Sequence, residues 1–224
     1  MMQDQIVNSR EPVLLLGGGA VAPGQIQRLL KLTGTVIAAD GGANMALEQG
    51  VMPDWVIGDF DSVLPQTLAA IPATRQMHIA EQDSTDFEKC LMRIKAPLVI
   101  GLGFMGPRVD HAMAVWNALV RYPDRPCVVV GERDLVFAAP RQLRLDLQPG
   151  TRLSLFPMAA VGGTSRGLRW PIDGLTLAPD GRIGTSNMAE GPVDLTFAGP
   201  GMLVILPERC LGQAVAALTA APPG

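Results

Sequence analysis

Short, predominantly apolar runs alternate with amphipathic stretches through the first 135 residues of the chain. The apolar runs fall at 13–16, 35–39, 55–57, 98–100 and 127–130, and such runs are typical of strands buried on both faces of a sheet. Between them, apolar residues recur every three or four positions, as on one face of a helix. Strands that alternate with helices predict a parallel sheet with right-handed crossovers, a Rossmann-like α/β fold.

Local signals predict the ends of two of these helices. Pro23 suits the start of the first helix and Gly34 suits its C-cap. Thr85 and Glu88 have the spacing of a capping box, which predicts a helix that opens at this point. The buried face of that helix is predicted to carry Phe87, Cys90, Leu91 and Ile94.

The pattern changes near residue 135, where alternation of apolar and polar residues replaces the continuous runs. Leucines alternate at 143, 145 and 147, and the same period recurs at 153–155 and 195–197. Short strands at this spacing, separated by turn-forming residues, predict an antiparallel β-sandwich, and 212–218 has the pattern of a terminal helix. We therefore predict two domains, an α/β domain over 1–135 and a β-sandwich over 136–224.

Four aspartates are concentrated in two short segments at element boundaries. Asp59 and Asp61 follow the strand at 55–57, and alternation along an extended chain would place both carboxylates on one face. Asp83 and Asp86 lie just before and within the first turn of a predicted helix. Each aspartate alone is explained by turn formation or by the helix dipole. Together the two segments favour a magnesium site, because Mg2+ binds carboxylate oxygens and substrate phosphates.

Several other polar and glycine residues also follow predicted strands, namely Gly17, Gly18, Gly19, Asp40, Gly101 and Gly103. Ligands of parallel sheets bind outside the carboxyl ends of the strands, so one crevice should collect these groups. The spacing Gly17-x-Gly19-x-x-Ala22, followed by Asp40, also fits the dinucleotide fingerprint of a nicotinamide-dependent oxidoreductase. Against this alternative, Pro23 and Gly24 stand where the helix of that fingerprint should already run. Hydride transfer also gives the other aspartates no role.

The ordered set of these segments resembles the thiamine pyrophosphokinase family. The matching segments are Ala39-Asp40-Gly41-Gly42-Ala43-Asn44, Pro53-Asp54, Gly58-Asp59-Phe60-Asp61-Ser62, Asp83-x-Thr85-Asp86-Phe87-Glu88-Lys89, the glycine-rich run that ends in Arg108-x-Asp110-His111, Gly167-Leu168-Arg169-Trp170 and Ser186-Asn187. The resemblance implies an α/β domain followed by a β domain. It also implies transfer of the pyrophosphoryl group of ATP to the hydroxyethyl group of thiamine, which gives thiamine diphosphate and AMP.

Roles for individual residues follow from the same resemblance. Asp59, Asp61 and Asp86 would hold Mg2+, assisted by Arg108 as the one fixed cation that the sequence places near them. Substrate would be oriented by Asp40 and Asp110. The ATP phosphates would lie against Gly17, Gly18, Gly19, Gly41, Gly42 and Gly103, and thiamine would contact Ser186, Asn187 and Trp170. A core position for Trp170 is an equal alternative. The family forms homodimers with thiamine bound between the subunits, and the same is expected here.

Composition disfavours other classes of partner. The net charge is −3 and aromatic residues make up 4% of the chain, so neither a basic nor a base-stacking surface for nucleic acid is predicted. Cys90, Cys127 and Cys210 are widely spaced, which predicts reduced thiols in a cytoplasmic protein. Residues 1–11 carry no apolar core of a signal peptide, and no apolar run reaches membrane-spanning length.

Two further functions stay open at the level of sequence. A related pyrophosphokinase that acts on a pterin alcohol would keep the aspartates and need a different pocket for the base. A nucleotide-binding sensor would bind ATP and Mg2+ without releasing AMP. Both are disfavoured because the second-domain segments also fit thiamine.

Overall fold

The computed structural model describes residues 7–106 and 108–220, which form two compact units. The first unit comprises the described residues up to Val115 together with 129–131. The second unit comprises 116–128 and 132–220. The chain therefore passes between the units three times.

A parallel sheet forms the centre of the first unit. Its strands are β2 (Val13–Leu16), β3 (Thr35–Ala39), β4 (Trp55–Gly58), β5 (Gln76–His78) and β7 (Val99–Leu102). They lie in the order β7-β2-β3-β4-β5, and every neighbouring pair is parallel. A separate parallel pair is formed by β1 (Val7–Asn8) and β6 (Ile94–Lys95), and β8 spans Cys127–Val130. The predicted α/β class is confirmed for this unit.

Helices connect the parallel strands and pack on buried side chains. They are α1 (Gln25–Leu29), α2 (Gly42–Glu48), α3 (Pro65–Ala70), α4 (Asp86–Arg93) and α5 (Val109–Arg121). The capping box of α4 is confirmed, since the Thr85 hydroxyl accepts the Glu88 amide N–H and the Glu88 carboxylate accepts the Thr85 amide N–H. Of the residues predicted for its buried face, Phe87, Cys90 and Leu91 are buried on α4. Ile94 is also buried, but it lies in β6.

The ends predicted for α1 are wrong. Gly24 has a φ of 77°, so regular helix begins only at Gln25 and not at Pro23. At the other end, a 3-10 turn over Leu30–Leu32 follows the helix directly, which leaves Gly34 outside the cap.

The order of the strands reverses at β2. The chain adds β3, β4 and β5 on one side of β2, whereas β7 pairs on its other side. In parallel sheets such a reversal opens a crevice beyond the carboxyl ends of the strands. Gly17 follows β2 and Gly103 follows β7, so the glycine-rich segments lie where this crevice is expected.

The second unit consists of antiparallel strands and a terminal helix. Its elements are β9 (Asp134–Ala138), β10 (Gln142–Leu145), β11 (Arg152–Pro157), β12 (Val161–Leu168), β13 (Thr176–Leu177), β14 (Gly184–Phe197), β15 (Met202–Pro207) and α6 (Leu211–Ala220). One ladder runs β9-β15-β11 and continues onto 184–188 of β14. The other joins 189–197 of β14 to β10 and β12, and β12 to β13. The predicted alternation is confirmed at 143–147 and 195–197, where exposed polar residues separate the buried apolar ones. At 153–155 both leucines are buried, but Ser154 between them is buried as well.

No helix of the described chain is suited to span a membrane. Within 7–106 and 108–220, none combines the length and the apolar character needed to cross one.

Candidate active site

One cavity of about 620 Å3 in the first unit collects most of the predicted site residues. Its lining includes five of the predicted ATP-binding glycines, Gly17, Gly18, Gly19, Gly41 and Gly103. It also includes the predicted acidic and basic groups Asp40, Asp59, Asp61, Asp86 and Arg108. Gly42 and Asp110 do not line it. A larger cavity of about 750 Å3 lies beside α6 in the second unit and is lined by none of the predicted residues.

The glycines after β2 and β7 permit two backbone segments to touch. A Cβ atom on Gly17 would lie 2.7 Å from the carbonyl oxygen of Gly103, and one on Gly103 would lie 2.6 Å from that of Gly17. The amide N–H of Gly19 donates to the Gly103 carbonyl at 2.9 Å. Any side chain at these positions would separate the two loops and change the wall of the cavity. Gly42 has a different constraint, since a Cβ there would lie 2.1 Å from the carbonyl oxygen of Leu16.

The segment that carries Asp59 and Asp61 is a turn. Regular strand ends at Gly58, and Phe60 has a φ of 66°. The prediction that alternation along an extended chain aligns the two carboxylates is therefore wrong in its reason. The turn is closed by a hydrogen bond of 3.2 Å from the Asp61 amide N–H to Oδ1 of Asp59. It nevertheless brings both carboxylates together, because an oxygen of each lies within 4.8 Å of the other and of an oxygen of Asp40.

Asp40 supplies the buried member of this carboxylate group. It is 3% exposed and has a φ of 45°, which is uncommon for a residue other than glycine. Its Oδ2 accepts the amide N–H of Ser62 at 3.2 Å. Its Oδ1 is buried and has no hydrogen-bond partner among the described residues. A buried carboxylate oxygen without a partner is costly, and a hard cation shared with Asp59 and Asp61 would satisfy it. The residues therefore fit a divalent ion such as Mg2+.

Lys89 is the cation that contacts the acidic residues. Its side chain is 2% exposed, and its Nζ lies 3.0 Å from Oδ2 of Asp59 and 3.2 Å from Oδ1 of Asp86. Gln82 also donates to Oδ2 of Asp59, at 2.9 Å. The statement that Arg108 is the one fixed cation near the aspartates is therefore wrong. Asp86 is not a member of the three-carboxylate group, and its contact in the structure is with Lys89.

These contacts shift the pKa values of the three groups. Burial would raise the pKa of Asp59, but hydrogen bonds from Lys89, the Asp61 amide and Gln82 together hold it below its usual value. For Asp86, burial outweighs the contact with Lys89 and the pKa is raised. Burial would lower the pKa of Lys89, but its hydrogen bonds to both carboxylates raise it. Asp59 and Lys89 thus remain a charged pair at neutral pH.

Arg108 and Asp110 pair with each other at the start of α5. The Arg108 guanidinium donates two hydrogen bonds to the Asp110 carboxylate, of 3.2 and 2.6 Å. Their side chains are 66% and 65% exposed. The hydrogen bonds from Arg108 hold the pKa of Asp110 below its usual value. Arg108 reaches the cavity, as does His111, so an exposed guanidinium stands at its wall.

The predicted thiamine-binding residues lie in the second unit. Asn187 is 6% exposed and its amide is occupied: Oδ1 accepts the backbone N–H of Trp170 and Nδ2 donates to the Trp170 carbonyl. Trp170 is 55% exposed, so the alternative of a core position is wrong. Ser186 is exposed, has a φ of 62°, and donates its amide N–H to Ser154 Oγ at 2.9 Å. Asn187 thus fixes the backbone that presents the Trp170 ring.

The sequence analysis gave no role in the site to Lys89 or Gln82, which both contact Asp59. For Lys89 a signal existed, since it stands one helical turn after Asp86 and an i,i+3 pair of opposite charge lies on one helix face. No comparable signal marked Gln82, because its partner Asp59 lies 23 residues away in sequence.

Comparisons with known proteins give two family matches. Residues 26–130 match the model for the catalytic domain of thiamin pyrophosphokinase. Residues 141–200 match the model for the vitamin B1 binding domain of thiamin pyrophosphokinase. Together these ranges span most of the described chain and fall largely within different units.

Individual relatives agree with these matches. Thiamine pyrophosphokinase 3 of Oryza sativa subsp. japonica is 28% identical over 188 residues, which cover 69% of this chain and 70% of the relative. Thiamin pyrophosphokinase 1 of Caenorhabditis elegans is 28% identical over 171 residues, which cover 67% of this chain and 70% of the relative. Among solved structures, the thiamin pyrophosphokinase from Candida albicans superposes with a TM-score of 0.76 at 15% identity, over 92% of this chain and 96% of that one. At this identity the superposition shows a shared fold.

Proposed function

Because the chain belongs to the thiamin pyrophosphokinase family, we propose that it transfers the pyrophosphoryl group of ATP to the hydroxyethyl oxygen of thiamine, giving thiamine diphosphate and AMP. The observation that carries this proposal is the convergence of Asp40, Asp59 and Asp61 in one cavity with the glycine turn at 17–19. Carboxylates alone would repel a polyphosphate, so this arrangement suits ATP that arrives with a divalent cation.

The acidic residues would hold Mg2+. We propose Asp59, Asp61 and Asp86 as its ligands, and the unpartnered Oδ1 of Asp40 adds a fourth carboxylate. When bound, the ion would neutralise charge on the polyphosphate and polarise it. Lys89 occupies Oδ1 of Asp86, which leaves the other oxygen of that carboxylate for this task.

The remaining chemistry is positioning and charge stabilisation. The polyphosphate would lie along Gly17, Gly18 and Gly19, where the absence of side chains lets backbone amides approach closely. The guanidinium of Arg108 would donate to phosphate oxygens, for which its planar fork is suited. The hydroxyethyl oxygen of thiamine would form a bond to the β-phosphorus while the bond from that phosphorus to the α-phosphate oxygen breaks. Of the two predicted proton acceptors, Asp40 lines the cavity and would take the hydroxyl proton, whereas Asp110 does not line it and is paired with Arg108.

We assign thiamine recognition to the second unit. The Arg169 guanidinium lies 5.7 Å from the centroid of the exposed Trp170 ring, and the other face of the ring would stack on the cationic thiazolium. Exposed Ser186 offers a hydroxyl. Asn187 would act by holding the backbone of Trp170.

In the proposed homodimer, the segment Ser186-Asn187 meets the first unit of the partner subunit, with thiamine between them. Light scattering coupled to gel filtration tests the assembly, and an active, strictly monomeric protein would contradict it.

The finer architecture is part of the same proposal. We interpret the two ladders that share β14 as the layers of a β-sandwich, because residues 184–188 and 189–197 of one strand pair with different partners. We interpret the first unit as Rossmann-like, with a functional division near residue 135 that lies between the two family matches.

Three buried, unpaired cysteines support a cytoplasmic setting.

The alternatives have less support. A nicotinamide site needs a helix that opens directly after the glycine turn, whereas α1 opens at Gln25 and has five residues. Neither a pterin-alcohol pyrophosphokinase nor a sensor without turnover accounts for the match of 141–200 to a vitamin B1 binding domain.

Release of AMP from ATP in the presence of thiamine is the direct test. We expect thiamine-dependent AMP with equimolar thiamine diphosphate, measured by separation of the products. A pterin alcohol in place of thiamine should give only background AMP. Tight ATP binding without AMP from either alcohol would refute the proposal and favour the sensor.

Removal of divalent ions should abolish the activity. With excess EDTA, the carboxylates of Asp40, Asp59 and Asp61 would face the polyphosphate without a counter-charge, so we expect no AMP above background. Activity should return when Mg2+ is added in excess over the chelator. Full activity in EDTA would refute the metal assignment.

A further inference from the structure

Lys89 is enclosed between two carboxylates of the candidate active site. Its ammonium contacts Asp59 and Asp86 at 3.0 and 3.2 Å, and its side chain is 2% exposed. Burying a charge is costly unless it is paired and hydrogen-bonded. The two carboxylates supply that pairing, so the ammonium is held in a single place between them.

The position of Asp59 is fixed through the same contact. Its Oδ2 accepts hydrogen bonds from both Lys89 and Gln82. The opposite oxygen, Oδ1, accepts the amide N–H of Asp61. The hydrogen bonds from Lys89 and Gln82 therefore fix the orientation of the Asp59 carboxylate, with Oδ1 directed towards the segment that carries Asp61.

The backbone that carries Lys89 is itself well anchored. Lys89 lies one turn into α4, whose first turn is closed by the capping box of Thr85 and Glu88. Just before it, the carboxylate of Glu81 accepts the amide N–H groups of Asp83 and Ser84 and also the Ser84 hydroxyl. These bonds fix the turn that carries Gln82, so both donors to Asp59 come from an anchored segment.

We propose that Lys89 is a positioning residue that acts through Asp59 and Asp86: it holds the acidic site in its working arrangement and, in doing so, weakens the binding of free divalent ions. Without its charge, Asp40, Asp59, Asp61 and Asp86 would repel one another until an ion arrived. With it, Asp59 and Asp86 are set before ATP binds. The same ammonium repels any cation that binds the neighbouring carboxylates, because like charges a few ångströms apart interact strongly in a poorly solvated site.

The two effects of Lys89 are separated by measuring ion binding and turnover in the same variants. Lys89→Met and Lys89→Gln remove the charge, and Mn2+ without nucleotide serves as the probe, detected by electron paramagnetic resonance. We expect Mn2+ to bind roughly three- to tenfold more tightly in both variants. We expect kcat for AMP release, which rests on the proposed function, to fall about 100-fold because the carboxylates lose their set geometry.

Two controls isolate the charge. Lys89→Arg keeps it, so Mn2+ affinity should stay within about twofold of the wild type. Lys31→Met removes a charge from an exposed position outside the cavity and should change neither quantity. A purely structural role would weaken Mn2+ binding and activity together.

The proposal is overturned if Mn2+ affinity is unchanged or reduced in the neutral variants. It is also overturned if both neutral variants fail to fold while Lys89→Arg folds, since Lys89 would then serve stability. Should the wild type release no AMP with thiamine, the proposed function fails, and the Mn2+ comparison still decides the role of Lys89.

Discussion

Replacing Asp61 with alanine is expected to lower the rate of AMP release by about two to three orders of magnitude. Asp61 is exposed, yet one of its oxygens lies within 4.8 Å of oxygens of both Asp40 and Asp59. Its loss would weaken the hold on Mg2+ at the point where the polyphosphate must be neutralised. Because an exposed side chain is removed, the free energy of unfolding should change by no more than about 0.5 kcal/mol. The measurements are kcat with saturating substrates and the denaturant midpoint.

A matched variant separates this effect from a general loss of charge. Glu48→Ala removes one carboxylate from the exposed end of α2, in the same unit and outside the cavity, and should leave the rate unchanged. Asp86→Ala should lose activity to an extent comparable with Asp61→Ala. Raising the Mg2+ concentration should partly restore the Asp61→Ala variant, since its defect is one of ion binding. Normal turnover by both the Asp61→Ala and Asp86→Ala variants would show that these carboxylates do not hold the ion.

The sequence predicted those elements whose own residues carry a strong pattern of apolar positions or a capping motif. The continuous run Val13–Leu16 is fully buried in the centre of the sheet, and the capping box predicted the first turn of α4. β5 was not predicted, because only Met77 of its three residues is fully buried and the apolar signal is correspondingly weak. The hydrophobic pattern thus predicted the central strands of the parallel sheet but not β5, which lies at the end of the strand order.

The site could be predicted only in part, because its geometry depends on contacts that are distant in sequence. The carboxylates at 59 and 61 were identified correctly as neighbours in one cavity, but the positive φ of Phe60 that joins them has no signature in alternation. Lys89 reaches Asp59 across 30 residues, and a lysine on a short helix is ordinarily solvated. Likewise, the amide of Asn187 is used by the backbone of Trp170, 17 residues away.

Replacing Asp40 with asparagine is expected to lower activity by at least about 100-fold and to stabilise the protein in the absence of metal. Asparagine tolerates the observed φ of 45° and can still accept the Ser62 amide N–H through its side-chain oxygen. Its NH2 group would replace the buried oxygen that has no partner and could donate to the carboxylates of Asp59 or Asp61. The Asp40→Asn variant therefore loses a charge that repels Asp59 and Asp61 and gains a hydrogen-bond donor. It also loses one of the proposed ligands of the ion.

Urea unfolding in the presence of EDTA tests the predicted stabilisation. We expect the free energy of unfolding of the Asp40→Asn variant to exceed that of the wild type by about 1 kcal/mol under the same conditions. In saturating Mg2+ the difference should shrink or reverse, because the ion stabilises only a chain that can bind it. Asp54→Asn is the matched control: it makes the same change at an aspartate whose Oδ2 accepts the Val36 amide N–H at 2.9 Å and which does not line the cavity. That variant should keep full activity and show no gain in EDTA. If Asp40→Asn is instead less stable than the wild type in EDTA, the carboxylate of Asp40 contributes to the fold itself and its unpartnered oxygen does not mark an ion site.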